Sequence, residues 1–172
     1  MLAPELNGVT DSGTENRVYK GIHIPPNIQK KRHYLFRDKL TVEEQGQIQL
    51  DDVALYSVTD SHHAEEITQL LLNYIPRTGT ITDGTACVGG NSMSFCRYFK
   101  HVNAVERDAG RSAMLRNNLN VIGLKNFTIY TSDFVSTIPQ YKQDLVFLDP
   151  PWGGRISPLY ICSNHSQSRT LV

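Results

Sequence analysis

The sequence predicts an α/β chain with a mainly parallel sheet and one site along its carboxyl edge. Three stretches carry that prediction. The first is Thr82–Asn91, T-D-G-T-A-C-V-G-G-N, which follows a short apolar run at Gly79–Ile81 and precedes an amphipathic run at Ser92–Phe99. The second is the apolar run Val102–Val105, which ends in Glu106. The third is Leu145–Gly154, L-V-F-L-D-P-P-W-G-G, an apolar strand running into a rigid polar loop. Strands that each end in a polar loop place those loops together at one edge of a parallel sheet.

Each stretch has its own chemistry. Gly89 and Gly90 lack a Cβ, so a cofactor could lie against the backbone there, and a plain tight turn is the competing reading. The glycine spacing is not G-x-G-x-x-G, which argues against a nicotinamide fingerprint. An acid about 20 residues beyond a glycine turn suits a ribose diol, so Glu106 is a candidate, although strand-end acids are also common. Two prolines in Asp149-Pro150-Pro151-Trp152 cannot continue a helix or donate ladder hydrogen bonds. Asp149 and the Pro150 carbonyl could accept from a nucleobase amine, and Trp152 offers a face for stacking.

The other segments carry more local signals. Asn7–Asn16 is crowded with Gly, Asn, Asp, Ser and Thr, and Pro25-Pro26 is expected to break regular structure, so 1–32 reads as a flexible extension. Lys30-Lys31-Arg32-His33-Tyr34, with Arg37 and Lys39 nearby, reads either as an RNA-phosphate contact or as a solvated arm. Residues 61–75 read as a helix with Ser61 as its cap and Ile67, Leu70, Leu71, Tyr74 and Ile75 facing the sheet. His62 and His63 lack a third metal ligand and read as solvated. Helices are expected at Ser92–Phe99 and Arg111–Ile122, the latter closed by Gly123. A strand at Phe127–Tyr130 leads to Asp133, at the same sheet edge.

Composition sets the outer bounds. The 172 residues suit one domain, and 40% hydrophobic content is ordinary for a soluble globule. Lys plus Arg and Asp plus Glu number 17 each, so nucleic-acid contact would need a local patch. Cys87, Cys96 and Cys162 are odd in number and lack metal spacing, as free thiols would in a reducing compartment. No apolar run is long enough for a membrane, and no secretory leader is visible. An intracellular protein, nuclear or cytoplasmic, is expected.

The order of these motifs resembles a Rossmann-like class I S-adenosylmethionine-dependent methyltransferase, specifically the trimethylguanosine synthase family. That family methylates the exocyclic N2 amine of 7-methylguanosine RNA caps. The likeness rests on Asp83 with Val88-Gly89-Gly90-Asn91, then Pro150-Pro151-Trp152-Gly153-Gly154. Upstream, Leu50-Asp51, Tyr56-Ser57-Val58-Thr59 and Tyr34-Leu35-Phe36 extend it, so it covers roughly 33–154. Two departures stand out: Asp149 where the family commonly has Ser, and Cys87 where it often has Gly. Asp149 makes the loop resemble those of adenine or cytosine amino-methyltransferases as well.

The resemblance implies roles. S-adenosylmethionine is expected along Asp83, Thr85, Gly89, Gly90 and Asn91, with Glu106 on its ribose and Asp133 on its adenine. Asp133 is equally readable as a turn-capping residue. Asp149, Pro150 and Trp152 would carry catalysis, Trp152 stacking the cap base, and Lys30, Lys31 and Arg32 would help to grip capped RNA. No metal is implied. Against the family, the sheet reads as truncated after its fourth core strand, with 155–172 an irregular tail and the fourth strand left as an open edge. A fragment, a shortened member, or a chain completed by a partner would each explain this, truncation being the favoured reading. An inactive truncated remnant that only binds nucleic acid or a partner protein stands as an alternative to an enzyme, and a monomer is expected unless a partner completes the sheet.

Overall fold

A computed structural model describes residues 16–21, 23–36, 40–137 and 142–150, and the backbone of 160–163. Its centre is a five-stranded sheet of β3 (Thr80–Asp83), β4 (His101–Glu106), β5 (Phe127–Thr131), β6 (Leu145–Leu148) and β7 (Tyr160–Ser163). The spatial order is β5-β4-β3-β6-β7. The first four strands are parallel, and β7 runs antiparallel to β6. The four-strand parallel sheet is the Rossmann-like arrangement expected. β7 lies within the stretch expected to be irregular, and it pairs the β6 edge expected to be open, with Leu148 opposite Tyr160.

From β3 the chain steps outward to β4 and β5, then returns past β3 to form β6. The strand order therefore reverses between β3 and β6, which is where open α/β sheets form a crevice at their carboxyl ends. Asp83 is in register with Ala104 on one side and Phe147 on the other, so β4 runs two residues and β6 one residue beyond the end of β3.

Period-two alternation divides the sheet faces. One face carries Ile81, Val102, Leu145 and Phe147, which pack on Phe95, Cys96 and Phe99 of α5 (Gly90–Tyr98) and its exit and on Leu71 and Ile75. Phe95 and Phe147 are fully buried, edge to face, with centroids 5.2 Å apart. Further along, Met114, Leu115 and Leu119 of α6 (Ala109–Val121) join Ala104, Val88, Ile48, Leu50 and Val58. The opposite face has a small cluster of Val105 and Phe134. Beside it is a polar row in which Asn103 Nδ2 donates to Thr82 Oγ1 (3.1 Å), which donates to Gln143 Oε1 (2.6 Å).

Three boundaries differ from expectation. Residues 26–32 of the supposed flexible extension belong to α1 (Pro26–Phe36), because Pro26 occupies the first helical position, where its missing N–H costs nothing. Next come α2 (Val42–Gln47) and α3 (Asp52–Ser57), with β1 (Val18–Tyr19) paired antiparallel to β2 (Leu50–Asp51). The helix expected at 61–75 is α4 (Ser61–Leu71), and its cap is Asp60 rather than Ser61, accepting from His62 N (3.0 Å) and His63 N (3.3 Å). It stops early because Pro76 disfavours helical backbone in the residue before it, and Tyr74 N turns back to Leu71 O (2.9 Å). A short helix, α7 (Phe134–Thr137), follows β5.

Candidate active site at the carboxyl edge of the sheet

The loop after β3 is laced to both neighbouring strands. Gly84 N donates to Phe147 O and Ala86 N to Val105 O, each at 2.9 Å. Two residues in it have left-handed backbone, Cys87 (φ 50°) and Gly89 (φ 105°). This accounts for the resemblance's glycine at position 87: only glycine takes that conformation without strain. The glycine pair also has a packing reason. A Cβ on Gly90 would lie 2.4 Å from Thr59 O, and one on Gly89 would lie 2.9 Å from Leu115 Cδ1. The missing side chains admit the protein's own Val58–Thr59 backbone and α6.

Asp83 closes β3 almost wholly buried. Its Oδ2 accepts from Ser92 Oγ (2.6 Å), and Oδ1 accepts weakly from Thr85 N (3.4 Å). Burial, aided by the nearby charges of Asp149 and Glu106, pushes its pKa up to about 7 against those two hydrogen bonds. Asn91, in the first turn of α5, is 8% exposed. Its Nδ2 donates to Thr59 Oγ1 (3.0 Å), and its Oδ1 is buried without a hydrogen-bond partner among the described residues. Such an orphaned carbonyl costs about 1–3 kcal/mol, so the position suits a ligand donor. Among the described residues no side chain caps the start of α5, whose positive dipole end suits a carboxylate.

Glu106 closes β4. Its Oε2 accepts from Cys87 N (3.0 Å) and its Oε1 from Asp108 N (2.8 Å). Arg111 Nε stands 3.6 Å from Oε1, and Arg111 Nη1 bonds Asp51 Oδ2 (3.2 Å). Asp51 in turn caps α3 by accepting from Ala54 N (2.7 Å). Asp149 follows β6. Its N–H donates to Thr85 Oγ1 (2.8 Å), and its Oδ2 accepts from Thr59 Oγ1 (3.3 Å). Pro150 is half-buried beside it.

The fold thus brings Asp83, Thr85, Gly89, Gly90, Asn91, Glu106 and Asp149 to one edge. Asp133 sits at that edge beyond β5 but is exposed, and its Oδ1 accepts from Ser136 N (3.1 Å), the turn-capping reading. Trp152, with Pro151, Gly153 and Gly154, lies outside the described residues, as do Arg37 and Lys39. The basic cluster is split by helical phase. Lys30 is exposed and Lys31 half-buried, but Arg32 shares the inward stripe of Leu35 and Phe36, three and four residues on. Arg32 is 2% exposed and donates to Gly21 O (2.9 Å) and Ile48 O (3.3 Å), which removes it from phosphate contact and corrects its expected role.

Thr59, Ser92 and Arg111 are the residues that sequence reasoning missed. Thr59 was visible only within Y-S-V-T; its partners stand 32 and 90 positions away, and no local pattern reports them. Burial raises the Cys87 and Cys96 thiols to about 12, so both stay protonated. Among the described residues, no group of three His, Cys, Asp or Glu could hold a metal ion, and no helix is long and apolar enough to cross a membrane.

The parallel sheet with its loops at one edge is that of a class I methyltransferase. A protein from Porphyromonas gingivalis W83, provisionally classed as a methyltransferase, superposes with a TM-score of 0.58 at 15% identity, covering 76% of this chain and 35% of its own. A family model described as RNA cap guanine-N2 methyltransferase matches residues 78–164, and the chain belongs to that family. The uncharacterized protein L320 of Acanthamoeba polyphaga mimivirus is 31% identical over 154 residues, 75% of this chain. The 25S rRNA (cytosine-C(5))-methyltransferase rcm1 of Schizosaccharomyces pombe is 37% identical over 84 residues, 44% of this chain. The matched parts amount to 60% and 18% of the lengths of those two relatives.

Proposed function

We propose that the protein transfers a methyl group from S-adenosylmethionine to the exocyclic N2 amine of 7-methylguanosine RNA caps. The observation that carries this is the convergence of Asp83, Glu106 and the Asp149-Pro150 loop at the reversal of strand order, inside a region matched by the cap guanine-N2 methyltransferase family.

The residues fit that cofactor. Asn91 Oδ1 and the Asp83 carboxylate suit its ammonium, the open start of α5 its carboxylate, and Glu106 its ribose diol. When bound, it supplies a sulfonium methyl, an electrophile strong enough to need no metal. The chain's own contribution is positioning. Asp149, braced through Thr85 and Thr59, would accept a hydrogen bond from the base amine and take up the proton that the amine loses. Trp152 stacks the cationic base, a contact worth about 1–2 kcal/mol when desolvated. The exposed Lys30 and the half-buried Lys31 of α1 would serve RNA phosphates.

Asp149 in place of Ser also favours a second reading, an amino-methyltransferase acting on adenine or another guanine in nucleic acid. Methyl transfer from labelled S-adenosylmethionine to capped and uncapped RNA separates the two. Labelling confined to capped RNA supports the first; equal labelling supports the second.

A further inference from the structure

Tyr56 plays no part in the catalytic edge, yet its placement is unusual. The turns of α3 pack inward through Ala54 and Leu55, and Val58 follows them into the same cluster. Tyr56 points the other way and is 88% exposed, the largest fraction among the exposed large hydrophobic side chains of the described residues. Lys31 of α1 reaches across to it, with Nζ 4.6 Å from the ring centroid. Val53, one turn earlier on α3, is also exposed. Tyr56 also stands three residues before Thr59, whose hydroxyl bonds Asp149. Three residues span at most about 11 Å, so the ring is within one or two nucleotides of the reacting edge.

We propose that Tyr56 and Lys31 form a stacking platform for single-stranded RNA, receiving a base a nucleotide or two beyond the methylated one. The chemistry is that of sequence-tolerant strand binding: an aromatic face for the base and an adjacent ammonium for its phosphate. Asp52, at the start of α3, accepts from Arg17 N (2.9 Å) and Tyr19 Oη (2.7 Å). The platform rests on the proposed RNA substrate and adds to it a second contact, one that distinguishes an RNA chain from an isolated cap nucleotide.

Fluorescence polarisation of the full chain tests this with three ligands: 7-methylguanosine triphosphate, a capped RNA decamer and the same decamer uncapped. Wild type is expected to bind the capped decamer more tightly than the nucleotide. Tyr56→Ala should weaken both decamers about tenfold and leave the nucleotide unchanged, while Tyr56→Trp retains RNA affinity. Lys31→Gln should lower the salt dependence of RNA binding by about one counterion. Tyr56→Ala affecting all three ligands alike, or none, overturns the platform, as does wild-type affinity for RNA no greater than for the nucleotide. Should wild type ignore the nucleotide but hold uncapped RNA through Tyr56, the cap reading falls and the platform stands.

Discussion

The ends of β3 and β4 lie side by side and each closes in a buried acid, but the two acids are compensated very differently. Glu106 is surrounded by donors: Cys87 N, Asp108 N and the Arg111 guanidinium. Asp83 has one strong partner, Ser92 Oγ, and one long contact to Thr85 N. The chain itself balances the charge of Glu106. It leaves that of Asp83 to burial, with no ion-pair partner for it among the described residues. A buried carboxylate in that position is costly when ionised, unless a ligand brings positive charge. One strand end is finished; the other is completed by what binds.

The largest expected effect is a pH dependence of stability arising at Asp83. Its folded pKa, about 7, lies above the ordinary value of 3.8, so between those values the folded chain holds a proton that the unfolded chain has lost. Stability therefore falls as pH rises from about 4 to about 7 and then levels, by at most about 4 kcal/mol. Asp83→Asn should flatten that window and be the more stable protein at pH 8, as read by urea denaturation at several pH values. Glu106→Ala comes next. It strips Arg111 and two N–H groups of a buried acceptor and should cost about 3 kcal/mol in the same assay, with the Asp83 window retained. Ser92→Ala removes the short hydrogen bond to Asp83. It should cost about 1–2 kcal/mol at pH 8 and move the window upward, whereas a comparable loss at Glu106 should not. The smallest effect is at the loop between the two acids. Cys87→Gly relieves a left-handed backbone and should stabilise by up to about 1 kcal/mol, measured by thermal unfolding.

How much the sequence reveals depends on range. Leu145–Leu148 and Val102–Val105 were legible because a buried parallel strand is an unbroken apolar run. Asp83, Glu106 and Asp149 were legible because each ends such a run. Their supports were not: Arg111 meets Asp51 across 60 positions, and Thr59 meets Asp149 across 90. Arg32 misled for a different reason. A basic cluster looks uniform as composition, but a helix sends one of every three or four residues inward, and Leu35 and Phe36 show which. β7 was missed because four residues among polar ones carry too little periodicity to announce a strand.

The most direct measurement is calorimetric titration of S-adenosylhomocysteine into wild type and Asp83→Asn between pH 5.5 and 8, a range of about one to two units around the Asp83 pKa. If Asp83 supplies the charge that receives the cofactor's ammonium, wild-type affinity rises through about pH 7 and then levels, and the variant binds weakly with no such rise. Equal binding by both proteins, or no binding by wild type at any pH, contradicts a cofactor site at the end of β3.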